Sequence, residues 1–292
     1  MPHRYRWSLS IVFFLLLWNA GWARAMVEAG YRVDFFAEPL VAAGPGATAL
    51  PLVLQTALEV ERKAEEASRF HAIDRYLEHH PDSPWAHSLL LNTALAQIHA
   101  GYFSSAIARL ERAYRMREQL PEDVRVKAQA DRVLGELLRL HARIGHAARL
   151  RELLQNPATR NLSGAASEWL TLAQEALWEL ENHPRETRRC GIAALSRLLA
   201  FTQPDATAQE RLEHTLAQDN GMSLAQSVGL ETRMIRRQPG QPLPLPSVVH
   251  WKVGHFAALL EYRDGRYRVQ DPAFEQDYRI KDTHLNRHLN RA

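Results

Sequence analysis

Three residues in the last hundred or so positions have the types and order that nucleophilic catalysis needs: Cys190, His255 and Asp271. Cys190 is the only cysteine among 292 residues, and in "RRCGIAALSRLLAF" it is followed by Gly191 and an apolar pattern that reads as a helix. The free N–H groups and the dipole at a helix N-terminus favour an anion, so a thiol placed there ionises more readily. His255 opens the run "HFAALLEY", Asp271 closes "RYRVQD", and Asp264-Gly265 between the two runs is a hairpin turn signal. Antiparallel pairing about that turn brings the two ends together. Asp271 can then accept the His255 N–H while His255 serves as base to the thiol, a cysteine-histidine-acid arrangement that recurs on unrelated folds. Gly191 leaves room for a substrate carbonyl beside backbone N–H groups, where an oxyanion would form. Taken alone, a cysteine at a helix start is more often a small buried hydrophobe. Here the order of the Cys-Gly, Gly-His and Asp-Pro pairs favours a reacting group.

The elements that must position these residues lie in two stretches. From about Ala47 to Asn182 the chain is rich in Ala, Leu, Glu and Arg, with apolar residues at three- and four-residue spacing, the period of amphipathic helices. Breaks fall at "HHPDSP" (His79 to Pro84), at Ala100-Gly101, at "LPED" (Leu120 to Asp123), at Ile144-Gly145 and at "QNPATRNLSG" (Gln155 to Gly164). Ala72 and Ala106 stand 34 residues apart, each followed by Ile and then by a large apolar residue, Tyr76 or Leu110. That is the period of tetratricopeptide helix pairs, which the unit from Trp85 to Pro121 resembles best, with Gly101 at the turn, Phe103 after it and Ala106 and Ala113 on the second helix. A generic helical bundle without repeat symmetry is the alternative. Pro184 ends the array, and a second unit, 183–292, begins. It is expected to hold the helix at about Gly191 to Phe201, short helical pieces at Arg211 to Asp219 and Ser223 to Val228, a proline-rich extended loop with one short strand at Thr232 to Ile235, and the hairpin.

The pieces "CGIAAL", "GHFAALLEY" and "YRVQDPAF", in this order, resemble the papain-like cysteine peptidases that process double-glycine leader peptides of bacteriocins. The resemblance covers about the last hundred residues. It implies Cys190 as nucleophile, His255 as base and Asp271 as its orienter, on an α+β fold in which the helix bearing the cysteine packs on a small antiparallel sheet. It also resembles a subgroup joined behind tetratricopeptide-like helices in exported bacterial proteins, for which "PSVVHWKVGHF" is the approach to the histidine. Two departures matter. The family's glutamine shortly before the cysteine, an oxyanion donor, is missing from "NHPRETRR", which leaves Asn182, Arg188 or Arg189 as substitutes. The tail "AFEQDYRIKDTHLNRHLNRA" also departs from the family pattern, with the expectation of a domain cut short before a closing strand.

The rest of the chain bounds the setting. "MPHRYRWSLSIVFFLLLWNAGWARAM" has Arg4 and Arg6, an apolar run and Ala23-Arg24-Ala25, the layout of a cleavable export signal over residues 1–25. The uncharged stretch from Trp7 to Ala23 is shorter than the roughly 20 residues of a spanning helix, which makes an uncleaved anchor the weaker alternative. An exported, periplasmic or extracellular chain with one cysteine has no internal disulfide, so Cys190 is an inert thiol, an intermolecular link or a nucleophile. The net charge of +3, from 36 basic and 33 acidic residues, argues against nucleic acid as the main partner. Among 14 histidines the one tight pair, His79-His80, fits a helix C-terminus better than a metal site. His250 is expected to be structural or at the edge of the substrate cleft. Trp251 and Gly254, with Gly191, are candidates for the cleft wall, although core packing is the stronger reading of Trp251. The chemistry needs no cofactor and no metal. The expectation is an exported peptidase-like protein that attacks a peptide or amide carbonyl, its protein or peptide partner held in the helical groove. The competing expectation is a module that only binds.

Overall fold

A computed structural model describes residues 30–44, 49–64, 70–183, 190–202, 240–274 and 276–283, with isolated positions at 231, 233, 235, 238, 285 and 289. The export signal, Arg188, Arg189 and the two short helical pieces before Glu231 lie outside the described residues, as do Thr232 and Met234 of the expected Thr232 to Ile235 strand, whose described positions, Arg233 and Ile235, are not in a strand. Among the described residues eight α-helices precede a four-stranded antiparallel sheet, an α+β architecture.

The helices are α1 (Leu52–Lys63), α2 (His71–His79), α3 (Ala86–His99), α4 (Phe103–Arg115), α5 (Val124–Arg143), α6 (Ala147–Leu154), α7 (Ala165–Asn182) and α8 (Cys190–Thr202). Local chemistry accounts for several of their ends. Asp123 caps α5, its carboxylate accepting from the N–H groups of Arg125 and Val126 at 2.8 and 3.2 Å. His79 closes α2 by bonding through Nδ1 to the Arg75 carbonyl at 2.7 Å, the helix-end role its position implies. Gly101 ends α3 at φ +81°, in the left-handed region that favours glycine. The start of α2 is held from outside. Glu61 of α1, 2 % exposed, accepts from the N–H groups of Phe70, Ala72 and Ile73. Helices α1/α2 and α3/α4 pack as neighbouring pairs, with Ile73 and Tyr76 in one and Ile107 and Leu110 in the other buried at matching positions. The next pair is unequal, 20 residues in α5 and 8 in α6, and α5 packs chiefly against α7. α3 is buried nearly all round, through Leu89, Leu90, Leu91 and Ala94, and is the centre of the first core.

The sheet runs β1 (Ser247–Trp251), β2 (His255–Arg263), β3 (Arg266–Asp271) and β4 (Gln276–Lys281), paired in sequence order. Asp264 and Gly265, at φ +54° and +73°, form the expected tight turn between β2 and β3. The sequence reading had no strand at 247–251, where Pro242, Pro244 and Pro246 read as loop; pairing of Val249 with Ala257 and of Trp251 with His255 recruits the segment. A fourth strand, β4, follows Asp271 within the chain's tail. In "QDYRIK" only Tyr278 and Ile280 are apolar, so β4 reads as polar tail until its alternation is matched to the sheet's inner face. Its outer face is charged, with Asp277 gripped by Arg268 at 2.6 Å and Arg279 paired to Glu261 at 2.7 Å. One face of β2, with Ala257 and Leu259, joins Val249, Trp251, Tyr267, Val269 and Ile280 in a second core. Helix α8 packs on β2 and buries Ala194, Leu195 and Leu199. The two cores interlock: Phe274 belongs to the helical core and Tyr102 to the sheet core. Among the described residues no helix is long and apolar enough to cross a membrane.

Candidate functional site

Cys190 is the first residue of α8, His255 the first of β2 and Asp271 the last of β3. His255 and Asp271 thus stand at the ends of neighbouring strands, and Cys190 is the first described residue of its helix. His255 and Asp271 are 1 % and 2 % exposed, and His255 Nε2 lies 2.7 Å from Asp271 Oδ1. The tight turn sets Arg263 opposite Arg266, and a bulge between Leu259 and Glu261 shifts the register by one, so that Leu259 stands opposite Val269 and Asp271 comes to the face that carries His255. Asp271 is held in turn. Its Oδ1 accepts the Ala273 N–H at 3.0 Å, and its Oδ2 accepts the Tyr278 hydroxyl at 3.2 Å. Burial, followed by the Asp271 charge and hydrogen bond, pushes the Tyr278 hydroxyl pKa well above 10, so it stays a donor.

With Nε2 taken by Asp271, Nδ1 is the ring nitrogen left for the thiol. It is buried and has no hydrogen-bond partner of regular geometry, yet the ring and Cys190 interact closely enough to shift both groups. A slack contact of this kind is common where a nucleophile and its base await substrate. Burial opposes both charged forms, raising the thiol and lowering the imidazole. The hydrogen bond and charge between the two outweigh it. The Cys190 thiol moves below its usual value, helped by the N–H groups of Phe256 and Gly191, and His255, bonded to Asp271 and Cys190, rises to about 9. Shifts in these opposite directions favour transfer of the thiol proton to the imidazole, and the two titrations belong to the pair.

The other candidates separate around this centre. Gly191 has open space, with only the Phe256 ring within 4 Å of a Cβ placed there. His250, paired with Phe256 across β1 and β2, stacks on its ring at 4.3 Å, and burial followed by the His255 charge lowers its pKa. Trp251 is 6 % exposed and packs in the second core. Gly254 sits at φ +73° in the turn before His255, against the helical array. Asn182 is exposed and donates its amide N–H to the Trp178 carbonyl of its own helix at 2.8 Å.

Tyr278 and Phe274 are functional neighbours the sequence reading missed. Phe274 meets His255 edge to face at 6.1 Å and stacks on Phe103 of α4 at 3.5 Å. The Tyr278 ring lies where a Cβ on Gly101 would approach within 2.5 Å of it. With Trp251, Val253 and Ile144, these residues line a small pocket that His255 and Asp271 also border. The one legible signal was the aromatic spacing after Asp271, Phe274 and Tyr278, inside a tail that otherwise reads as polar. Among the described residues no group of three or more His, Cys, Asp or Glu is arranged to hold a metal ion. No family model matches the chain, and neither a curated protein nor a solved structure matches it.

Proposed function

We propose that the protein is an exported cysteine peptidase or a related acyl-transfer enzyme, in which Cys190, His255 and Asp271 act on a peptide or amide carbonyl. The observation that carries this is the coupling at the site: a thiol lowered and an imidazole raised by one another, with Asp271 bonded to the imidazole from behind. The thiolate attacks the carbonyl carbon, and the negative charge moves to the oxygen. Collapse of that intermediate breaks the C–N bond, and the leaving amine takes its proton from the His255 imidazolium. The acyl group stays on Cys190 as a thioester. Water then attacks it, giving its proton to the now neutral imidazole, and releases the acid and the thiolate.

The developing oxyanion needs donors, and the stretch "NHPRETRR" just ahead of Cys190 has no glutamine. The first N–H groups of an α-helix have no acceptor within the helix, so the start of α8 supplies backbone donors beside the thiolate. The helical array, built from paired helices similar to tetratricopeptide units, would hold the peptide or protein that carries the scissile bond. A second reading, a module that only binds, is favoured by the near-complete burial of His255 and by the missing glutamine.

Alkylation separates the two. The rate of iodoacetamide reaction at Cys190 is measured against pH in the mature chain and in His255→Ala. The peptidase reading expects a rate that titrates well below the free thiol value of about 8.5 and moves up in the variant. A thiol that is inert, or reacts identically in both proteins, leaves the binding module.

A further inference from the structure

The strand that carries His255 is pinned at its start by the helical array. β1 passes into β2 through residues 252–254, and there the Gly254 N–H returns to the Trp251 carbonyl at 2.9 Å. His146, in the α5-α6 turn just after Gly145, lies against this turn. Its ring is hydrogen-bonded to the Val253 backbone, and its Nε2 is 3.0 Å from where a Gly254 Cβ would stand. A side chain at 254 would collide with that ring. His146 Nδ1 meets His141 Nδ1 at 3.2 Å, the rings stacked at 5.3 Å, and His141 Nε2 lies 3.3 Å from Glu111. Arg149 grips the same Glu111 carboxylate at 2.8 and 2.6 Å. These contacts fix the orientation of the His146 ring, with Nε2 toward the 252–254 turn and Nδ1 toward His141.

We propose that His146 is a positioning residue for His255, through which the chain Arg149-Glu111-His141 of the helical array sets the 252–254 turn and so the place from which the imidazole faces Cys190. The proposal rests on the reading of Cys190 and His255 as a reacting pair. The ionisable groups around His146 are His141 of α5, Glu111 of α4, Arg149 of α6, exposed Lys252 of the turn and His255 of β2. Burial, then the positive charge of His141, lowers the His146 pKa against the bond to Val253, which keeps a second positive charge away from the imidazolium. Glu111 is pushed up by burial, but the hydrogen bonds of His141 and Arg149 outweigh it and hold the carboxyl at about 2, so the anchor stays charged. A supporting group of this kind acts by fixing geometry, where small misplacements cost large factors in reactivity.

The test is the pH profile of Cys190 alkylation in the full chain, with His255→Ala as reference and a thermal melt of each protein. His146→Ala should melt cooperatively yet lose about tenfold in rate below neutral pH, an upward thiol shift of about one unit. His146→Gln, whose amide can still donate to the Val253 carbonyl, should recover most of the loss. A folded His146→Ala with the parent profile, or a Gln variant no better than Ala, overturns the proposal. Should His146→Ala not fold, Glu111→Gln decides: a shift in the same direction is expected, and an unchanged profile overturns it. Parent and His255→Ala profiles that coincide would instead remove the pairing itself.

Discussion

The tightest constraint on reactivity sits at Asp271, because its charge and hydrogen bond both act to raise His255 while three donors fix its orientation. Asp271→Asn keeps the shape and removes the charge. His255 should then fall from about 9 and the Cys190 thiol should rise. Alkylation at pH 6 is expected to slow by at least about tenfold, since each unit of thiol pKa is a factor of ten in thiolate below it. An unchanged rate at pH 6 would mean that Asp271 does not support the imidazolium. At this scale much was legible in advance. Cys190, His255 and Asp271 were identifiable because a nucleophile, a base and an acid have few alternative residue types; the turn at Asp264-Gly265 was legible too, but not the bulge between Leu259 and Glu261 that puts Asp271 on the His255 face. The second donor to Asp271 was not, because nothing in "EQDYRIK" shows that Tyr278 folds back onto the hairpin.

At the scale of the element, two buried polar groups in the helical array carry opposite expectations. Glu61 replaces a local cap for α2 by accepting three backbone N–H groups across the α1-α2 turn. Glu61→Ala leaves those donors unsatisfied, and should cost about 2 to 4 kcal/mol in chemical denaturation. His87 of α3 is 2 % exposed, its Nε2 has no hydrogen-bond partner, and burial lowers its pKa to about 4. The unfolded chain takes a proton on this histidine near 6.5 and the folded one only near 4. Stability from His87 is therefore complete above about pH 6.5, declines as the pH falls to about 4, and changes no further below. The decline is on the order of 3 kcal/mol, and His87→Leu should flatten that part of the stability-pH curve in urea melts. The helices themselves followed from periodicity, and the breaks at His79 to Pro84, Ala100-Gly101 and Ile144-Gly145 mark real ends. The unequal lengths of α5 and α6 did not follow, because a 34-residue spacing read from Ala72 and Ala106 constrains only the two pairs that contain them.

Across the whole molecule the helical array and the sheet share side chains: Phe103 against Phe274, Gly101 beneath Tyr278, His146 against the turn before His255. The fragment 183–292 alone would expose Phe274, Tyr278 and Trp251 and lose the supports of the His255-Asp271 pair. Its Cys190 should react as a free thiol with an apparent pKa near 8.5, measured by the same alkylation profile; a fragment that kept the depressed value would show that the sheet orders the site unaided. By itself the sequence determined the α+β class, the helical array and the tight turn at Asp264-Gly265. Each of these depends on local periodicity or turn chemistry, which neighbouring residues encode. Only the tertiary structure decided that β1 and β4 join the sheet, that the bulge after Leu259 turns Asp271 to the His255 face, that Trp251 is core, and that the array reaches the strand carrying His255 through Tyr278 and His146. The contacts between array and sheet join residues more than a hundred positions apart. A single sequence carries no periodic signal for them, because a close approach such as Gly101 to Tyr278 is specified only by the shapes of two surfaces after each has folded.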